Sequence, residues 1–91
     1  MRIVYTARSR QDLADIVDGL ASRNVHAALV VAATIRKRIA WLARYPSSGR
    51  AQEGIEIRKA VTEPFGYFIY YAVDKTAQVV TIATILPPAP V

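Results

Sequence analysis

The side chains with chemistry to offer in this sequence are mostly cations. Twelve Lys and Arg stand against seven Asp and Glu, with one histidine and no cysteine. Arg50, Arg58 and Lys59 fall close together in the second half of the chain. An arginine presents a planar fork of donors that grips a carboxylate or a phosphate through two parallel hydrogen bonds. Arg58 is the leading candidate for that role. The structural alternative pairs it with Glu56, Glu63 or Asp74, and the sequence leaves both open. Arg50, next to Gly49, reads as a solvated loop cation unless a partner recruits it, and Lys59 supports either reading.

The remaining candidates are weaker. Arg36, Lys37, Arg38 and Arg44 form a basic run, but at helical spacing they spread around the axis. No aromatic–glycine recognition motif accompanies them, so direct nucleic-acid binding is not expected. His26 has no Cys, His or carboxylate at metal-ligand spacing, and no second histidine or thiol with which to build a nucleophile pair. Trp41 lies off its helix's apolar stripe, which suits either packing at a rim or contact with a partner. Tyr67, Tyr70 and Tyr71 could stack bases, although an apolar strand run is more simply core.

Composition narrows the classes further. Ninety-one residues make one domain, expected here over 1–91. The absence of cysteine removes disulfides and thiolate metal sites. An apolar fraction of 53% with 21% charge is too hydrophobic for a disordered chain. A net charge of +5 suggests an acidic partner. The N-terminus lacks the apolar core of a signal peptide, and the run from Val25 to Ile35 is too short to span a bilayer. A cytoplasmic protein is expected.

The elements that must position these groups follow from periodicity. Arg2 to Tyr5 is a β-branched, aromatic strand. Thr6 or Ser9 then caps a helix, with Asp12 completing a variant capping box, and Leu13, Ile16, Val17 and Leu20 make its stripe. Asn24 caps a second helix whose stripe is Ala28, Ala32, Ile35, Ile39 and Leu42. Pro46 and the following Ser47-Ser48-Gly49 end it. Ile55, Ile57 and Val61 then share one face of a strand, opposite Glu56 and Arg58. Tyr67 to Val73 is a central strand, apolar on both faces, and Gln78 to Leu86 is the last strand. Residues 87–91 form a Pro-rich tail expected to be flexible. The order β-α-α-β-β-β predicts an α+β domain, a helical hairpin packed on one face of a mainly antiparallel sheet. One helical layer leaves the second face in need of a cover.

At this point the chain resembles the RelE/ParE toxins of type II toxin–antitoxin systems. The resemblance rests on the opening IVYTARSRQDLADI and on Leu42 followed by Pro46, Gly49 and Arg50. Arg58 ahead of the aromatic run YFIYYAV completes it. It implies a bacterial, plasmid-stabilising toxin with no cofactor and no metal, neutralised by a ParD-like antitoxin with an acidic C-terminal segment. RelE-like members cut messenger RNA with Lys, Arg and Tyr side chains on the sheet, whereas ParE-like members inhibit DNA gyrase by binding it. Phe68 stands where RelE-like toxins carry a catalytic arginine, Glu56 where they carry a lysine, and Leu86-Pro87-Pro88 where they end in Arg or in His and Tyr. The resemblance therefore points to the ParE-like branch and to gyrase, with a RelE-like ribosome-dependent mRNA endonuclease or an antitoxin-binding member without toxicity as the alternatives, and to Arg58, Arg50, Lys59 and Trp41 as partner-binding residues.

Overall fold

A computed structural model describes residues 1–89 of the chain. Strand β1 (Arg2–Tyr5) turns directly into helix α1 (Ala7–Ala21) because Thr6 serves both elements. Its hydroxyl oxygen accepts from the Ser9 N–H at 3.0 Å, while the hydroxyl donates to the carbonyls of Ile82 and Ala83. Such a cap stabilises a helix by about 1 kcal/mol. Ser9 is not the cap. It is fully buried inside α1 and donates to the Thr6 carbonyl. Asp12 completes no capping box either, since its carboxylate faces the last strand.

Asn24 caps helix α2 (Val25–Arg44), accepting from Ala27 N–H at 3.0 Å. The expected stripe of α2 is buried, joined by Val31. The α1 stripe is only half-buried. A 3-10 turn at Pro46–Ser48 leads into strands β2 (Arg50–Ala51), β3 (Arg58–Val61), β4 (Phe68–Asp74) and β5 (Val79–Leu86). The sheet order is β1-β5-β4-β3-β2. β1 and β5, the first and last strands in the chain, are parallel, and every other pair is antiparallel. The expected architecture holds, with β2 as an additional strand too short to leave a periodic signal.

Both helices cover one face. Ala60, Ile69, Tyr71, Val80, Ile82 and Ile85 point into it, against Val31, Ile35, Ile39 and Leu42 of α2. In β5, Ile82 opposes Tyr71 while Thr84 opposes Tyr70, so Ala83 is an extra residue. That bulge lets Ile82 and Ile85 face the core together.

The third strand runs in the opposite phase from expectation. Ile55 lies outside it and is 60% exposed, while Ala60 and Thr62 are buried. Arg58 therefore shares the helix-side face with Ala60. A buried Thr62 escapes apolar periodicity because its hydroxyl is satisfied locally, its oxygen accepting from Tyr67 N–H at 2.9 Å. Gly66, at φ +76°, closes the turn between β3 and β4 in a conformation that favours glycine. Pro87, Pro88 and Ala89 are exposed, and the last two residues of the expected tail lie outside the described residues.

Candidate functional site

The structure distributes the four candidate side chains over three neighbouring places at the β2–β3 end of the molecule. Arg58 is half-buried on the helix side. Its Nη1 donates to the Gly49 carbonyl at 2.8 Å and, more weakly, to the Ser47 carbonyl at 3.5 Å. It does not pair with Glu56, Glu63 or Asp74, because the one ion pair among the described residues joins Arg8 to Asp12. Tyr71, across the strand pair from Arg58, completes the same clasp. Its phenol donates to the Pro46 carbonyl at 2.6 Å and accepts from the Gly49 N–H at 2.9 Å. Burial pushes the phenol's pKa up, against the pull of the Gly49 N–H, Arg58 and Arg38. Arg58 and Tyr71 thus hold the turn that delivers Arg50 to β2.

Arg50 and Lys59 are register partners across β2 and β3. Lys59 in turn opposes Tyr70, and Ala60 next to it opposes the buried Ile69. Alternation therefore puts Arg50, Lys59 and Tyr70 together on the face without helices. The Lys59 ammonium lies 4.9 Å from the centroid of the Phe68 ring. Like charges directly opposite one another in a sheet are destabilising, so this pair is not explained by fold stability. Val61, Phe68, Tyr70, Ala72, Thr81 and Val4 continue the same face, all half-buried, and no helix or strand of the described residues lies over them.

Trp41 projects from the outer side of α2 and is 52% exposed. Its ring stacks at a tilt on Tyr45, centroids 4.5 Å apart, and Arg44 lies over the far ring. Beside Trp41 a groove of about 350 Å³ separates α2 from β3, lined by Thr34, Lys37 and Arg38 on one side and Val61 and Glu63 on the other. Arg38 bridges its floor, donating from Nε to the Val61 carbonyl and from Nη1 to Ser48 Oγ, each at 3.3 Å. The sequence reading missed Arg38 by treating it as one of a scattered run. The usable signal was the spacing Thr34, Arg38, Trp41, Tyr45, which is a second helical stripe. Arg36 goes to the opposite flank, beside Tyr5. His26 is exposed. No three His, Cys, Asp or Glu side chains come together among the described residues, and no described helix is long and apolar enough to cross a membrane.

A helical hairpin on one face of a β1-β5-β4-β3-β2 sheet is the fold that this chain shares with the RelE/ParE toxins. The family model described as "ParE toxin of type II toxin-antitoxin system, parDE" matches residues 3–88, and the chain belongs to that family. No individual curated sequence matches it. Among solved structures it resembles a chromosomal ParDE toxin–antitoxin system from P. aeruginosa. The TM-score is 0.82 at 20% identity, over 98% of this chain and 97% of that one. It also resembles the intact E. coli RelBE toxin–antitoxin complex, with TM-score 0.73, 12% identity and 98% of each chain covered. The RelBE2 toxin–antitoxin complex from Mycobacterium tuberculosis follows at TM-score 0.56 and 19% identity, over 94% and 95% of the chains. At these identities the likeness is one of fold.

Proposed function

We propose that this ParE-family toxin acts by binding, with DNA gyrase as its target, and that a cognate antitoxin encoded beside it holds it inactive. The setting is the bacterial cytoplasm, where such a pair stabilises a plasmid. The observation that carries the reading is the open sheet face. RelE-like toxins place a catalytic arginine where this chain has Phe68, and Phe68 lies on that face beneath the Lys59 ammonium. A cleavage site needs cations and proton-transferring groups around one phosphate. Arg58, the one cation retained from the ribonuclease pattern, is turned to the opposite side and occupied by the Gly49 carbonyl.

Partner binding fits the same surfaces better. Trp41 is the kind of half-exposed aromatic that anchors interfaces. The complexes that this fold resembles are toxin–antitoxin assemblies, and an acidic, partly helical antitoxin segment suits the groove between α2 and β3. Arg50 and Lys59 on the open face meet a second acidic or apolar surface, and Arg58 positions the turn that carries Arg50. This segment is ParD-like in the reading, and it folds as it binds.

A supercoiling assay with purified gyrase tests the function. Inhibition relieved by the adjacent antitoxin is the expected result. Unimpaired supercoiling, together with codon-positioned cuts in messenger RNA, would instead select the ribonuclease activity. The ending Leu86-Pro87-Pro88 favours one further reading, a family member that binds antitoxin without being toxic. Growth unaffected by induction, with tight antitoxin binding retained, identifies it.

A further inference from the structure

A second groove, of about 380 Å³, lies on the far flank of α2, between the two helices and the outer edge of β1. Its floor is apolar, built by the half-buried Leu13 and Val17 of α1 with the exposed Ala14 beside them, and Tyr5, Arg10 and Arg36 line the rest. The Arg10 guanidinium stands 5.6 Å from the centroid of the Tyr5 ring. Burial raises the Tyr5 pKa despite the charges of Arg36 and Arg10 nearby, so the phenol stays a neutral donor. Asp18 sits on the same rim, yet among the described residues neither arginine has a carboxylate within 4.0 Å. Two guanidinium groups and a phenol therefore converge above an apolar floor with no carboxylate of the described residues paired to them.

We propose that this groove binds a peptide carboxylate, the side chain of an Asp or Glu set among apolar residues of a partner protein. The donors fit the carboxylate, and the Leu13–Val17 floor fits its apolar neighbours, for which a bare phosphate has no use. The groove opens along β1, an edge strand with backbone groups free on its outer side, which gives an extended segment room to run through. The site is separated by the width of α2 from the Trp41 groove, so one acidic segment wrapping the helix could engage both. The identity of the partner as the antitoxin rests on the function proposed above, whereas the carboxylate site does not.

The test is an NMR titration of the full chain with three probes. These are the peptide acetyl-Ala-Leu-Leu-Glu-Leu-Ala-amide, the same peptide with Gln for Glu, and hexanoate. The Glu peptide is expected to bind at least tenfold tighter than the Gln peptide at low salt, with shifts at Tyr5, Leu13 and Val17. Arg10→Gln and Arg36→Gln should each reduce that preference at least fivefold, and Lys75→Gln, exposed in the turn between β4 and β5, should leave it unchanged. Tyr5→Phe, which keeps the ring, should reduce it about threefold. Equal binding of the two peptides overturns the proposal, as does a preference that survives both arginine substitutions. Hexanoate binding more tightly than the Glu peptide overturns it too, making the groove a small-acid pocket. Each variant's own spectrum reports whether it is folded. Antitoxin binding by the doubly substituted chain is measured separately, so loss of the partner assignment is distinguishable from loss of the site.

Discussion

The phenol of Tyr71 occupies the space that a side chain on Gly49 would need. A carbon added at Gly49 would lie 2.4 Å from the Tyr71 oxygen and 2.6 Å from its ring. Gly49 has an ordinary extended backbone, so the requirement for glycine is one of room. The close approach lets a buried phenol satisfy the turn after α2, and that turn sets where Arg50 and β2 begin.

Gly49→Ala should therefore cost about 2–3 kcal/mol, combining overpacking with disruption of the phenol's two hydrogen bonds. For a chain of this size that corresponds to a fall in Tm of about 8–20 °C. Tyr71→Phe keeps the ring and loses only the bonds, so about 1–2 kcal/mol is expected. Urea denaturation of both variants checks the order. A Gly49→Ala protein as stable as the wild type would mean that the turn relaxes away from Tyr71.

Arg58→Ala should lower stability by about 1–2 kcal/mol, because its hydrogen bond to Gly49 is charge-assisted but half-exposed. Arg58→Lys should recover part of that loss, since an ammonium can reach one carbonyl but not span two. At a temperature where all three proteins are folded, gyrase inhibition should be nearly equal. A folded Arg58→Ala protein with inhibition lost tenfold or more would return Arg58 to the binding surface.

These two cases show what was legible in the sequence. Helical stripes such as Ile35, Ile39 and Leu42 repeat at a period that packing enforces, so both helices and the Asn24 cap could be read from spacing, whereas the choice of Thr6 over Ser9 at α1 could not. The order of elements along the chain, β2 apart, followed from the same patterns. The face of β3 could not, because its core positions are Ala60 and Thr62, a small residue and a polar one whose hydroxyl is satisfied by Tyr67. Ile55 and Ile57 carried the stronger apolar signal and lie outside the strand. The role of Arg58 was hidden for a related reason. Its acceptors are main-chain carbonyls, which every residue possesses, so no acidic partner could be sought in the sequence. Trp41 was readable as an off-stripe aromatic, but its groove depends on the crossing of α2 over β3.

Asp12 gives the fold an acid-sensitive joint. Its carboxylate accepts from the Thr84 hydroxyl and, at 3.0 Å, from the Ile85 N–H, where β5 extends past the end of β1. Burial alone would raise its pKa, but Thr84, the Ile85 N–H and Arg8 together hold it below the ordinary carboxylate value. A depressed folded-state pKa adds stability that is fully present above the unfolded value near 4 and is lost as pH falls through the folded one. Wild-type stability should thus decline below about pH 4 more steeply than that of Asp12→Asn. The variant should be weaker at pH 7, with the gap closing in acid. Parallel urea curves at pH 7 and pH 3 decide this, and an unchanged gap would show that Asp12 contributes only shape.

Trp41→Ala separates partner binding from folding most directly. The ring is half-exposed and stacks on Tyr45, itself exposed, so the substitution removes little core. Stability should fall by only about 1 kcal/mol, the loss of the stack on Tyr45. If the α2–β3 groove receives the antitoxin, the same change removes an aromatic anchor, and such anchors are typically worth about 2 kcal/mol or more. Antitoxin affinity should then fall about thirtyfold or further. Leu29→Ala is the matched control, because Leu29 is still more exposed, at 65%, and lies near the other end of α2, away from that groove. Titration calorimetry of both variants with the antitoxin gives the comparison. A large loss for Leu29→Ala with none for Trp41→Ala would move the docking surface to the N-terminal half of α2.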